Sequence, residues 1–198
     1  MNLFSAPDAT DRLILGLSPP PEVADQMVRA ADAVRRLFSL QGRPRPHGYL
    51  SLRLHDFGEH AGVRRDIVQM ASEAAASVEP PGPIELCFDR AEGRMNSVGR
   101  FDLVLKSTEP SAPLAAFQND LGMAMARAGL GRFARRPFEP EILVVENVRG
   151  YREVPIEPIR WTATAFILLH GLLGRQQHVP LARWSLLGQP ADAADKQD

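Results

Sequence analysis

The feature that most restricts what this chain can fold into is an internal repeat in which strand, helix, connector and strand recur in the same order. Residues 12–17 (RLILGL) form an apolar run of strand length, closed by Ser18 and three prolines. Proline is tolerated in the first helical turn, and Val23, Met27, Ala30, Val34 and Leu37 then recur at helical spacing. Residues 41–46 (QGRPRP) break that pattern, and residues 49–54 alternate as a strand does. A second helix is predicted over 63–78, stopped by the PPGP at 80–83, with an alternating strand at 84–88. The order then returns: a strand at 101–106, a proline-containing turn at 107–113, and a helix with Leu114, Phe117, Leu121, Met125 and Ala128 on one face. A basic connector at 132–137 leads to a strand at 141–145. From Ile14 to Ser51 is 37 positions and from Leu103 to Glu141 is 38. An α+β fold of two similar lobes follows. Residues 161–170 and 178–187 read as two closing strands joined through GLLG at 171–174, and 189–198 as a disordered tail.

With 198 residues the chain can bury a substantial core, and one folding unit over 1–188 is expected. A net charge of −1 with 24% charged residues gives no global field to hold a nucleic acid, so any RNA contact must be a local patch and DNA is not an expected partner. Cys87 alternates with apolar neighbours and is read as a buried thiol suited to a reducing cytosol. Residues 1–10 lack a basic segment followed by an apolar core, and no run of about 18 apolar residues occurs. A cytoplasmic protein without membrane contact is expected.

Three stretches carry a family resemblance. They are residues 12–23 (RLILGLSPPPEV), residues 136–140 (RPFEP), and the closing segments VPIEPIRW (154–161), FILLH (166–170) and LARWSL (181–186). Together they resemble, in the right order, the bacterial 2'-5' RNA ligase family of 2H phosphoesterases, which are RNA 2',3'-cyclic phosphodiesterases. The resemblance implies two antiparallel sheets with helices on their outer faces around a central cleft. Each half of such a protein supplies a His-x-Thr/Ser motif from a strand, where alternate residues share a face and aim at one phosphate. One imidazole serves as base and the other as acid, with no metal or other cofactor implied.

This sequence departs from the family at both motifs. Anchoring on 137–140 puts Glu141 and Leu143 where the second histidine and hydroxyl would stand. Leucine offers no hydrogen bond, and a carboxylate repels a phosphodiester. The first motif has two registers: Ser51-Leu52-Arg53, anchored on 55–62, or Tyr49-Leu50-Ser51. Neither supplies a histidine. On a regular strand His47, Tyr49, Ser51 and Arg53 would share the cleft face, which makes His47 a candidate relocated base and Arg53 a candidate phosphate contact. The simpler expectation for Arg53 is an ion pair with Glu141 across the cleft. His55, Asp56, Glu59 and His60 crowd together without a known ligand spacing, so no metal is expected, and His170 and His178 read as surface residues. Arg43, Arg45, Arg132, Arg135 and Arg136 lie in the two connectors and would form a cationic rim.

The sequence thus leads to a family member with degenerate motifs, binding an RNA end, a cyclic phosphate or a small phosphorylated nucleotide through His47, Tyr49, Ser51, Arg53, Arg136 and Glu141 without normal catalysis. The alternatives are an active phosphodiesterase using substitutes such as His47, Tyr49 or Glu141, and a protein-interaction module whose cleft is closed by the Arg53–Glu141 pair.

Overall fold

The computed structural model describes residues 9–96, 98–109, 111–134, 137–175 and 177–188. Its elements are β1 (Asp11–Leu17), α1 (Pro21–Leu37), β2 (Arg43–Pro44), β3 (Leu52–His60), α2 (Arg65–Ala76), β4 (Ile84–Met95) and β5 (Phe101–Lys106). They continue with α3 (Ala112–Arg127), β6 (Glu141–Val148), β7 (Val154–Ala163), β8 (Ala165–Leu172) and β9 (Gln177–Ser185). The strands form two antiparallel sheets, ordered β3-β1-β8-β9 and β2-β6-β5-β4-β7.

The helices start where the sequence supplies the means. Pro21 occupies the first position of α1, where its missing N–H is not needed, and Glu22 favours the positive end of the helix dipole. At α3 the Ser111 hydroxyl accepts the Leu114 N–H at 3.3 Å. The buried face of α1 carries Val23, Ala24, Met27, Ala31 and Val34. Full burial of a side chain such as Met27 contributes about 1.5–3 kcal/mol.

The two halves of the repeat exchange their helices. The helix that follows β1 packs against β6 and β7 of the five-stranded sheet, whereas α3, which follows β5, contacts β3 of the four-stranded sheet. Helix α2 packs on α3 and reaches β8 and β9. One continuous buried cluster therefore joins Leu13, Leu52 and Phe57 of one sheet to Phe88, Leu103 and Ile142 of the other.

Local structure departs from the sequence reading in three places. Residues 49–54 are not one strand: His47–Tyr49 is a 3-10 turn, closed by Pro46 and His47 carbonyls that accept the Tyr49 and Leu50 N–H groups at 2.9 and 3.1 Å, and β3 begins only at Leu52. Pro46 has no N–H to donate, so the pairing of the β2 segment with β6 stops there and the turn takes the place of the first residues of the expected strand. The closing region holds three strands rather than two, because the chain crosses from β7 in one sheet to β8 in the other at Thr164, within the expected 161–170 strand. The strand expected at 84–88 extends to Met95. Residues 189–198, the expected tail, lie outside the described residues, as do Arg135 and Arg136.

Candidate functional site

The inward face of the four-stranded sheet is set by two irregularities in the pairing of β1 with β3. Leu15 faces His55 and Gly16 faces Arg53, so Leu54 has no opposite residue; a second shift falls between Ile14, opposite Asp56, and Arg12, opposite Glu59. These bulges reset the alternation. Arg53 and Asp56 line the groove with Arg12, whereas His55 is buried and donates from Nε2 to the Gln118 carbonyl of α3 at 3.0 Å. Gly16 is required for the close approach, since a Cβ there would stand 2.6 Å from the Leu52 carbonyl oxygen.

The five-stranded sheet supplies Arg94, Met95, Asp102, Leu143 and Glu146 to the same groove, which encloses about 430 Å³. The strands holding Arg53 and Glu141 do face each other, but each lies at or next to the edge of its sheet. The connector after α1 adds Arg45, whose Nη2 and Nε donate to Glu146 Oε1 at 2.7 and 3.1 Å, while Arg43 donates to Glu146 Oε2 at 2.8 Å. Those arginines hold the Glu146 carboxyl below its usual range against the opposing effect of burial. Arg12 is bound to Asp56 and reaches Glu59 at 3.4 Å. Arg94 is bound to Glu141 and lies 3.5 Å from Asp102, which also accepts the Asn147 N–H at 3.1 Å.

Arg53 differs from Arg12, Arg43, Arg45 and Arg94. Its closest carboxylate is Asp56 at 3.7 Å, a carboxylate already engaged by Arg12, and among the described residues its guanidinium donates no hydrogen bond. Burial, followed by the charges of Arg12 and Arg45, pulls its pKa down to about 10. Arg53 is still a cation at neutral pH, but one in an unfavourable surplus of positive charge. An anion would relieve that surplus and take up its unused fork of donors.

The other expected site residues disperse. His47 is half exposed and its Nδ1 lies 2.8 Å from Asp25 of α1, so it is not a base for the groove. Ser51 is buried ahead of β3 and is not part of the groove lining. The shared-face argument for these residues fails because the 3-10 turn interrupts the alternation. The expected Arg53–Glu141 pair does not form: Glu141 is held within its own sheet by Arg94, with Lys106 at 3.9 Å. The groove is therefore not closed in the way the interaction-module alternative required.

Tyr49 lies between the Arg45 guanidinium, 4.3 Å from its ring centre, and the His178 ring at 4.1 Å. His178 is thus no simple surface residue. It sits opposite Gly171, beside the arginines, with neither ring nitrogen hydrogen-bonded among the described residues, and burial together with Arg45, Arg53 and Arg12 pushes its pKa down to about 3. His170 is likewise buried, paired with Asp11. Asp56 and His60, two of the four crowded residues at which no metal was expected, are engaged by Arg12 and by the Phe57 carbonyl. Sequence reasoning missed Arg12, Arg94, Asp102 and Glu146. Only Arg12 carried a legible signal, lying in register with Ile14 and Gly16 on the face opposite Leu13, Leu15 and Leu17.

No family model and no curated protein matches the sequence. Solved structures do. LigT of E. coli in apo form superposes with a TM-score of 0.67 and 23% identity, covering 92% of this chain and 100% of that one. A structure described as a phosphoesterase gives 0.68 and 22%, with 91% and 99% covered. TT0787 of Thermus thermophilus gives 0.66 and 21%, with 90% and 100% covered. E. coli LigT has also been crystallised with 3'-AMP, phosphate, ATP and NADP+. Among the described residues, two antiparallel sheets with three α-helices, matched over this much of each chain, give the protein the fold of LigT and of that phosphoesterase.

Proposed function

We propose that this protein is a degenerate member of the 2H phosphoesterase family that binds the phosphate of a nucleotide or an RNA end in the groove between its sheets, without the family's usual catalysis. The observation that carries the reading is Arg53, a cation in the groove whose donors are unused while Arg12, Arg45 and Arg94 are each committed to carboxylates. The neighbour's ligands support it, because 3'-AMP, ATP and NADP+ all carry a phosphate on a nucleoside. The lost chemistry rests on the lining: among the described residues of the groove there is no imidazole to act as acid or base. Glu141 and Leu143 stand in place of the second motif, and Glu141 is neutralised by Arg94.

The test is calorimetric titration with adenosine 2',3'-cyclic monophosphate. Arg53→Ala is expected to weaken binding by about 1.5–3 kcal/mol, the range for a hydrogen bond to a charged group. Unchanged affinity would place the site elsewhere. The same incubation, followed for product, is expected to show no turnover at an ordinary enzymatic rate, since each absent proton-transfer group removes about 10²–10⁴-fold.

A further inference from the structure

The β4–β5 hairpin ends at the mouth of the groove, where Met95 lines the cavity yet remains 63% exposed and Val98 at the same tip is 73% exposed. Met95 thus adds an exposed apolar side chain to a lining made mainly of charged and polar groups, a combination that matches a ligand with both an anionic and an apolar part. Hydrogen bonds tie Asn96 to its described neighbours. The Asn96 side-chain carbonyl accepts the N–H groups of Val98 and Arg100 at 3.2 and 2.9 Å, and its amide donates to Asp102 at 3.2 Å. Asp102 also faces Arg94, so Met95 stands next to a guanidinium pinned on both sides.

Resting on the nucleotide reading above, we propose that Met95 is the contact for the base of the bound nucleotide, so that the groove takes the phosphate at Arg53 and a flat aromatic ring at the hairpin. A thioether is soft and polarisable, sits well at the edge of an aromatic ring, and is carried on an unbranched chain that adapts to different rings. The groove volume of about 430 Å³ suits a whole nucleotide rather than a lone phosphate. The site therefore distinguishes a base-bearing phosphate from a bare anion.

The experiment compares Met95→Ala with the unaltered protein, titrating each with adenosine 2',3'-cyclic monophosphate and with inorganic sulfate. Met95 is exposed, so the fold is not at stake. The nucleotide is expected to bind about three- to tenfold more weakly to the variant, as loss of a sulfur–aromatic contact implies, with sulfate binding unchanged. If both ligands bind the unaltered protein and Met95→Ala leaves the nucleotide affinity intact, or weakens both ligands alike, the base contact is refuted while the phosphate site stands. If neither ligand binds the unaltered protein, the nucleotide reading falls and this inference with it.

Discussion

His178 makes the native state sensitive to mild acid. Its half-buried imidazole packs on Tyr49 with both ring nitrogens shielded from water and, among the described residues, without a partner, and Arg45, Arg53 and Arg12 oppose its protonation. The folded pKa of about 3 lies below the ordinary value of 6.5, so between those limits the unfolded chain binds a proton that the native one refuses. Stability is therefore complete above pH 6.5 and is lost as pH falls toward 3. Each pKa unit corresponds to about 1.4 kcal/mol, so lowering the pH from about 7 to about 5 removes about 2 kcal/mol from this group. For a chain of this length such a loss lowers the melting temperature by about 4–8 °C. The paired carboxylates contribute little in that window, since Asp11, Asp56 and Glu146 have ordinary values of 3.8 to 4.5 and are held lower still. His178→Phe keeps a ring on Tyr49 and cannot titrate. Urea unfolding at a series of pH values is expected to show the variant losing about 2 kcal/mol less than the parent over this range. The other histidines are common to both proteins and cancel in the comparison. Parallel stability curves for the two proteins would refute the assignment of a buried neutral imidazole.

Two further outcomes follow from the groove. Glu141→Gln removes a carboxylate and leaves Arg94 with Asp102 alone, so binding of adenosine 2',3'-cyclic monophosphate is expected to tighten by about three- to tenfold; calorimetry showing equal or weaker binding would contradict this placement of charge. Gly16→Ala drives a Cβ to 2.6 Å from the Leu52 carbonyl oxygen, and the parting of β1 from β3 is expected to cost about 1–3 kcal/mol in urea unfolding; an unchanged midpoint would show that the strands have room.

Local pattern made much of the fold legible. The 3.6-residue recurrence of Val23, Met27 and Val34 and the proline at the helix start predicted α1 almost to its ends, and Leu114, Phe117, Leu121 and Met125 did the same for α3. The strand alternation failed around Ser51 for an equally local reason: after Pro46 the chain turns through a 3-10 turn at His47–Tyr49 in place of a ladder. The site was less legible. Arg53 was reached by aligning motif positions, but its expected partner Glu141 pairs instead with Arg94 and Lys106 of its own sheet.

Periodicity acts over a few residues, so the amino-acid sequence by itself determined the order of the helices and of most strands, and which of their faces are apolar. It did not determine that the halves exchange helices, that a bulge leaves Leu54 without an opposite residue and parts Arg53 from His55, or that Arg12, Arg45, Arg53 and Arg94 meet around one groove. Those arginines are spread over three strands and a connector of two sheets, and strand register is fixed by pairing between distant segments. Whether a guanidinium spends its donors on a carboxylate or keeps them for a ligand depends on which carboxylates that pairing brings within reach, and only the tertiary structure decides it.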